Sequence, residues 1–237
     1  MARRSGFTLI ELMIVIAIIA VIAAIAIPNL LAARLSANES AAIATLRQFI
    51  SSQIAVQNSR GIDVDRDGVG EFGWLAEMSG ALAVRDAVGP HSGPVFSPPM
   101  LAGSLGAIDP NGMVQKAGYV YRMALPGAGG AGLGEAAGGG SPTGEDPDQT
   151  ELCWVAHAWP LAYANSGRRT FCVTQKGDIV QNMNTGSGTH ATYSGVTSVP
   201  TFDAAVESGS AGTITGEISI GNQPAPAVDG DLWTIAN

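Results

Sequence analysis

Residues 6–28 read GFTLIELMIVIAIIAVIAAIAIP. From Leu12 to Ile27 no polar side chain interrupts the run. With Phe7 to Ile10 upstream it reaches the ~20 apolar residues that span a bilayer as a helix, so the stretch predicts a transmembrane segment. Glu11 stands near its start, where a lone charge in hydrocarbon costs about 2.5 to 3.5 kcal/mol. Arg3 and Arg4 precede the run and no basic residue follows until Arg34. The positive-inside rule therefore predicts a cytoplasmic N-terminus with the remainder of the chain outside. A cleavable secretory signal is a poorer reading, because no small-residue cleavage site closes the run cleanly and because Glu11 is left unexplained.

The rest of the 237-residue chain is long enough for a real core. Its 12 Lys and Arg against 20 Asp and Glu give a formal net charge of -8, which excludes the basic footprint of a nucleic-acid binder. Glycine is abundant, but a 46% hydrophobic fraction argues for a folded body carrying glycine-rich loops.

Past Pro28 the helix is expected to continue with a kink, since good helix formers follow the proline. Leu30, Leu31, Leu35, Ile43, Leu46, Phe49, Ile50 and Ile54 recur at helical spacings, with Arg34, Ser36, Glu39, Arg47, Gln48 and Gln53 between them. This pattern predicts an amphipathic helix from about Asn29 to Gln57 whose apolar stripe packs on a globular body. Farther on, Tyr119–Leu125, Leu152–Trp159, Thr170–Thr174 and Asp178–Gln181 are rich in β-branched and aromatic residues and bounded by turn residues, with Lys176-Gly177 marking a hairpin. They predict an antiparallel sheet laid against the helix, with Thr213–Ile220 as a fifth strand. The fold class is α+β. Between Pro126 and Thr150 the Gly/Ala/Pro composition predicts an exposed, mobile loop.

The segment DVDRDGVGE, Asp63 to Glu71, matches the first half of an EF-hand calcium loop: alternating acids, then Gly68 at the sixth position for the sharp turn. Asp63, Asp65, Asp67 and Glu71 are the candidate Ca2+ ligands. The second half departs from the motif, with Trp74 where the bidentate glutamate belongs. An acidic turn closing the long helix is the alternative. No other cofactor is indicated. Gly127 to Gly132 matches the dinucleotide fingerprint literally, yet no helix opens after it to cradle a phosphate. His91, His157 and His190 lack ligand-like neighbours at metal spacing, and no constellation points to catalysis. Cys153 and Cys172, the two cysteines, fall on neighbouring predicted strands outside the membrane. A cross-strand disulfide worth about 3 kcal/mol on the loop-entropy model is the first reading, and two buried free thiols the second.

Gly6 followed by Phe7-Thr8-Leu9-Ile10-Glu11, the apolar run, and Pro28 near its end resemble the leader and helix of type IV prepilins and pseudopilins. The resemblance covers about the first quarter of the chain. It implies a leader at residues 1–6, cleaved after Gly6 by a membrane prepilin peptidase that also methylates the new amino group of Phe7. It further implies a filament-core helix at 7–28, an amphipathic helix at 29–58 and a β-rich head at 59–237. The chain would wait as a single-pass inner-membrane protein among lipids and polymerise, through the pilus assembly machinery, with identical subunits into an extracellular filament. Glu11 would then pair with the Phe7 amine of its own chain or of a neighbour, and Pro28 would shape the helix for assembly. Within the family the alternatives are a type II secretion pseudopilin and a minor tip pilin acting as an adhesin. Outside it stands a signal-anchored periplasmic binding protein. Motility, adhesion and DNA uptake depend on partners and surface loops that a fold does not name.

Overall fold

The computed structural model describes residues 7–186, 191–221 and 225–236. One helix, α1 (Leu9–Ser59), runs without a break through Pro28 for 51 residues, or about 77 Å at the standard rise. It stops at Arg60, which adopts the left-handed conformation (φ 50°) and returns its N–H to the Gln57 carbonyl. Two environments divide it. From Leu9 to Arg34 nearly every side chain is exposed, whereas from Glu39 onward one face is buried in the head.

The head is built on an antiparallel sheet of β1 (Val114–Lys116), β2 (Tyr119–Pro126), β3 (Gly132–Gly134), β4 (Val155–Pro160), β5 (Thr170–Thr174), β6 (Ile179–Asn182) and β7 (Thr234–Ile235). Their order is β1-β2-β4-β5-β6-β7, with β3 also pairing β2. Two one-turn helices, α2 (Leu75–Met78) and α3 (Pro147–Thr150), lie in the connections. The β5–β6 hairpin turns at Gly177, whose φ of 83° suits glycine and whose N–H returns to the Thr174 carbonyl.

Alternation along the strands sends side chains to two different cores. Tyr119, Tyr121, Met123 and Leu125 of β2, with Ala156, Ala158, Phe171 and Val173, meet Ala42, Leu46, Phe49 and Val56 of α1. Phe49 touches Tyr121 edge-on, with centroids 5.9 Å apart. On the opposite face Ala124, Val155, Cys172 and Val180 are covered by Ala204, Ala205, Ile214, Ala227 and Trp233 from the C-terminal segment. The central strands are therefore buried on both sides, and the head has three layers: helix, sheet and irregular cover.

That cover corrects the fifth-strand expectation. Thr213–Ile220 is not a strand; Ile214 is buried in the second core while Ile218 and Ile220 pack against it, and one bridge links Ile218 to Val206. Its alternating isoleucines face the sheet without joining it. The β4 boundary also moves, since Leu152 and Cys153 precede the strand. On α1, Glu39 and Gln53 lie on the buried face and Ile54 on the exposed one, the reverse of the sequence expectation. Gln53 tolerates burial because its amide exchanges two hydrogen bonds with the backbone of Gly73, at 2.8 and 2.9 Å.

Residues 126–150 are likewise held in the fold. They contain β3 and α3, and Glu135 is buried, accepting backbone N–H groups from Leu75, Ala76 and Gly140. A side chain at Gly112 would put its Cβ 2.2 Å from the Glu135 carbonyl oxygen, so glycine here permits close backbone packing. Composition suggested looseness; the carboxylate anchors and the missing side chains instead produce tight apposition.

Candidate functional site

The exposed half of α1 begins at a fully formed N-terminal cap. Thr8 adopts an extended conformation, and its hydroxyl accepts the Glu11 N–H at 3.3 Å. Glu11 Oε2 in turn accepts the Thr8 N–H at 2.8 Å and the Thr8 hydroxyl at 2.6 Å. This reciprocal capping box satisfies donors that the first turn leaves orphaned. The pattern Thr8-x-x-Glu11 is visible in the sequence, and it supplies an explanation for Glu11 that charge reasoning alone overlooks. Phe7 lies exposed beside the cap, while Gly6, Arg3 and Arg4 lie outside the described residues.

Downstream, Ile14, Ile18, Val21, Ile22 and Ile25 remain more than half exposed, and no charged residue intervenes between Glu11 and Arg34. The head covers none of this surface. A helix this long and apolar is able to cross a membrane. Water is a poor solvent for so continuous an apolar surface, which needs lipid or other apolar helices around it. Pro28 sits inside it, between the bare segment and the head.

Residues 1–27 match the family described as the prokaryotic N-terminal methylation motif. The chain is 57% identical over 53 residues to the type IV wide pilus major component PilA4 of Thermus thermophilus, covering 22% of this chain and 40% of that protein. It is 37% identical over 83 residues to the type IV major pilin protein PilA of Myxococcus xanthus, covering 35% of this chain and 37% of that one. The N-terminal part of the chain is thus similar to that of type IV pilins. It spans about two fifths of the length of these curated relatives. No solved structure matches it.

In the head the acidic loop brings three of its four candidate ligands together. Carboxylate oxygens of Asp63, Asp65 and Asp67 lie within 4.8 Å of one another. Asp65 Oδ1 accepts the Asp67 N–H, and Asp67 Oδ1 the Val69 N–H, so consecutive side-chain turns shape the loop. Glu71 is drawn elsewhere. It is buried, accepts the Val64 N–H at 2.7 Å and lies 3.3 Å from Arg85. A different carboxylate approaches the aspartates: Glu151, just past α3, whose buried Oε1 has no hydrogen-bond partner. Burial, then Asp67 and Asp65, push its carboxyl above the usual range. The backbone bond from Phe72 N–H to the Thr150 carbonyl at 3.0 Å ties the two segments together. No sequence spacing announces such a pairing.

Beneath the loop, Arg85 is buried among Glu71, Glu77 and Glu145, at 3.3, 2.6 and 2.9 Å. Trp74 also donates its indole N–H to Glu145. One guanidinium faces three carboxylates, and burial pushes Glu71 up to about 7. Burial does the same to Glu135 nearby, despite its three N–H donors.

The two cysteines are free thiols, correcting the disulfide expectation. Register explains why. Val155 pairs with Thr174 and Cys172 with His157, so Cys153 lies beyond the paired ends, four residues along from Cys172's partner. At about 3.3 Å per residue that is about 13 Å of strand, well beyond the ~7 Å limit for bridged Cα atoms. The Cys153 thiol instead contacts the Gln149 carbonyl at 3.8 Å. Burial pushes Cys153 up to about 11 and Cys172 higher still. His157 is packed edge-on against Trp233, and burial pushes it down to about 3. His91 is exposed, and His190 lies outside the described residues.

Proposed function

We propose that the chain is a filament subunit, cleaved after Gly6, methylated on Phe7 and polymerised with identical copies through α1. The observation that carries this reading is a bare apolar helix projecting from a completed head. In a membrane lipid would cover that surface, and in a filament the same surface on other subunits would. Cleavage leaves a protonated amine on Phe7, and Glu11 is the carboxylate to pair with it on joining the helix bundle. The capping box already holds Glu11 at that end of the helix.

On this reading the N-terminus faces the cytoplasm, the head lies outside, and prepilin peptidase and the assembly machinery are the partners. The chain serves as a structural component, for motility, adhesion or DNA uptake; a secretion pseudopilin or tip subunit would use the same helix. Asp63, Asp65 and Asp67, with Glu151 in the place expected for Glu71, are proposed to hold calcium, whose preference for clustered hard oxygens suits them.

Imaging of expressing cells for surface fibres, with mass spectrometry of their subunits, tests the main reading. Fibres built of chains starting at methylated Phe7, and their loss in Gly6→Val with unprocessed protein held in the membrane, are expected. Mature chains from Gly6→Val, or a membrane protein that never enters fibres, would overturn it.

A further inference from the structure

The cover on the second face of the sheet leaves a cavity of about 310 Å3 above β2 and β3. Arg122, Phe202, Asp203, Ala131, Thr201 and Ile214 line it. Arg122 rises from β2, opposite His157 of β4, and lays its guanidinium 3.7 Å over the Phe202 ring. Small residues make that stacking possible. A Cβ on Gly134 would fall 2.7 Å from the Phe202 ring and 3.3 Å from Arg122 Nη2, and one on Gly132 would fall 2.6 Å from Phe202 Cβ.

Arg122 is polar and underused. It forms no ion pair or hydrogen bond among the described residues, and its Nε is buried without a partner. Leaving that buried donor unmatched is costly, and the terminal nitrogens of the guanidinium are free to take an acceptor in the cavity. Asp203 supplies the opposite charge on the same wall but does not bridge to Arg122. One of its oxygens accepts the Gly212 N–H at 2.7 Å, and the other makes no hydrogen bond among the described residues. His157 underneath stays uncharged at neutral pH, since burial and then Arg122 hold it down to about 3. The cavity thus presents one fixed cation, one fixed anion and an apolar wall.

We infer that this cavity binds a free α-amino acid with an apolar side chain. The carboxylate meets the Arg122 fork, the ammonium meets Asp203, and the side chain lies toward Ala131, Phe202 and Ile214. Charge balance selects this class. A simple anion is attracted by Arg122 but repelled by Asp203, and a simple cation faces the reverse; a zwitterion satisfies both at once. The volume is at the lower end for small-molecule sites, which suits one amino acid. Stacking on Phe202 holds the guanidinium in place before the ligand arrives.

The test is calorimetric titration of the full-length chain in detergent with L-leucine, 4-methylpentanoate, which lacks the ammonium, and 3-methylbutylamine, which lacks the carboxylate. Saturable binding of L-leucine, at least about tenfold tighter than either analogue, is expected. Asp203→Asn should bring L-leucine down to the affinity of 4-methylpentanoate, and Arg122→Lys should weaken both carboxylates by removing the fork. Melting curves establish that the variants are folded; if either is not, the analogue series on the unaltered chain decides. No saturable heat up to about 100 mM, or L-leucine binding no tighter than its analogues, overturns the proposal. So do folded Asp203→Asn and Arg122→Lys chains that bind L-leucine like the parent.

Discussion

Glu39 of α1 and Arg169 at the mouth of β5 form the joint between helix and head. Arg169 Nε and Nη2 both lie 2.7 Å from Glu39 Oε2. The backbone N–H groups of Arg168 and Arg169 donate to Glu39 Oε1 at 3.0 and 3.3 Å. Arg169 Nη1 extends the contact to Gln181 on β6, so one carboxylate of the helix is tied to two strands. N-terminal to this joint α1 is bare, and C-terminal to it α1 is packed.

Glu39→Ala should therefore destabilise the head by about 2 to 3 kcal/mol, because it removes charge-assisted bonds and strands two backbone donors. Chemical denaturation of the full-length chain in detergent measures this. A loss below about 0.5 kcal/mol, typical of exposed pairs, would show the joint to be incidental.

Stability should fall between about pH 4.5 and pH 7. Glu71 and Glu135 titrate near 7 in the folded head, above the ordinary 4.5. For an acid raised on folding, the native state binds the proton more tightly, so its contribution is complete below about 4.5 and is lost as pH rises through about 7. Glu71→Gln should flatten that slope, by about 1 to 2 kcal/mol over the window. Melting temperatures across the range decide it, and a parallel slope in the variant would contradict the assignment.

Glu11→Leu should insert and fold normally yet fail to build filaments, since an unpaired Phe7 amine is poorly solvated inside a helix bundle. Thr8→Ala breaks the cap at a cost of about 1 kcal/mol but leaves the carboxylate in place, so assembly should only weaken. Filament yields of the two variants separate pairing from capping. Equal defects would mean that Glu11 acts through the cap alone.

Millimolar calcium should raise the melting temperature of the chain, as any ligand specific to the folded state does. Asp65→Asn should abolish the rise, and Glu151→Gln should reduce it. An unchanged parent curve would leave the three aspartates as a turn.

Two thiols should react with a labelling reagent once the chain is unfolded without reductant, and few should react before, since both are buried and poorly ionised. Reductant should not move the melting temperature. A thiol-free unfolded chain would restore the disulfide.

Much of the architecture is legible in local pattern. The run from Leu12 to Ile27, the spacing of Leu46 and Phe49, and the β-rich stretches at 119–125 and 170–174 each carry their own period, and the structure contains the corresponding helix and strands. The Thr8-x-x-Glu11 box was equally legible, because both members lie within one turn. What local pattern could not reveal was the sheet's second layer. It made Thr213–Ile220 look like a strand and 126–150 like a free loop, although the first covers the sheet and the second is anchored by Glu135.

By itself, then, the sequence determined the bare helix, the α+β class and the family of the first quarter of the chain. These follow from side-chain periodicity and contiguous motif, which act over a few residues. Tertiary structure alone decided that Glu71 faces Arg85 while Glu151 nears the aspartates, that Glu39 and Gln53 turn inward, that the cysteines stay apart, and that Arg122 shares a cavity with Asp203. Each of these depends on strand register and on which segments close over the sheet. Buried polar groups take partners from wherever the folded chain brings them, and distance along the sequence does not limit that choice.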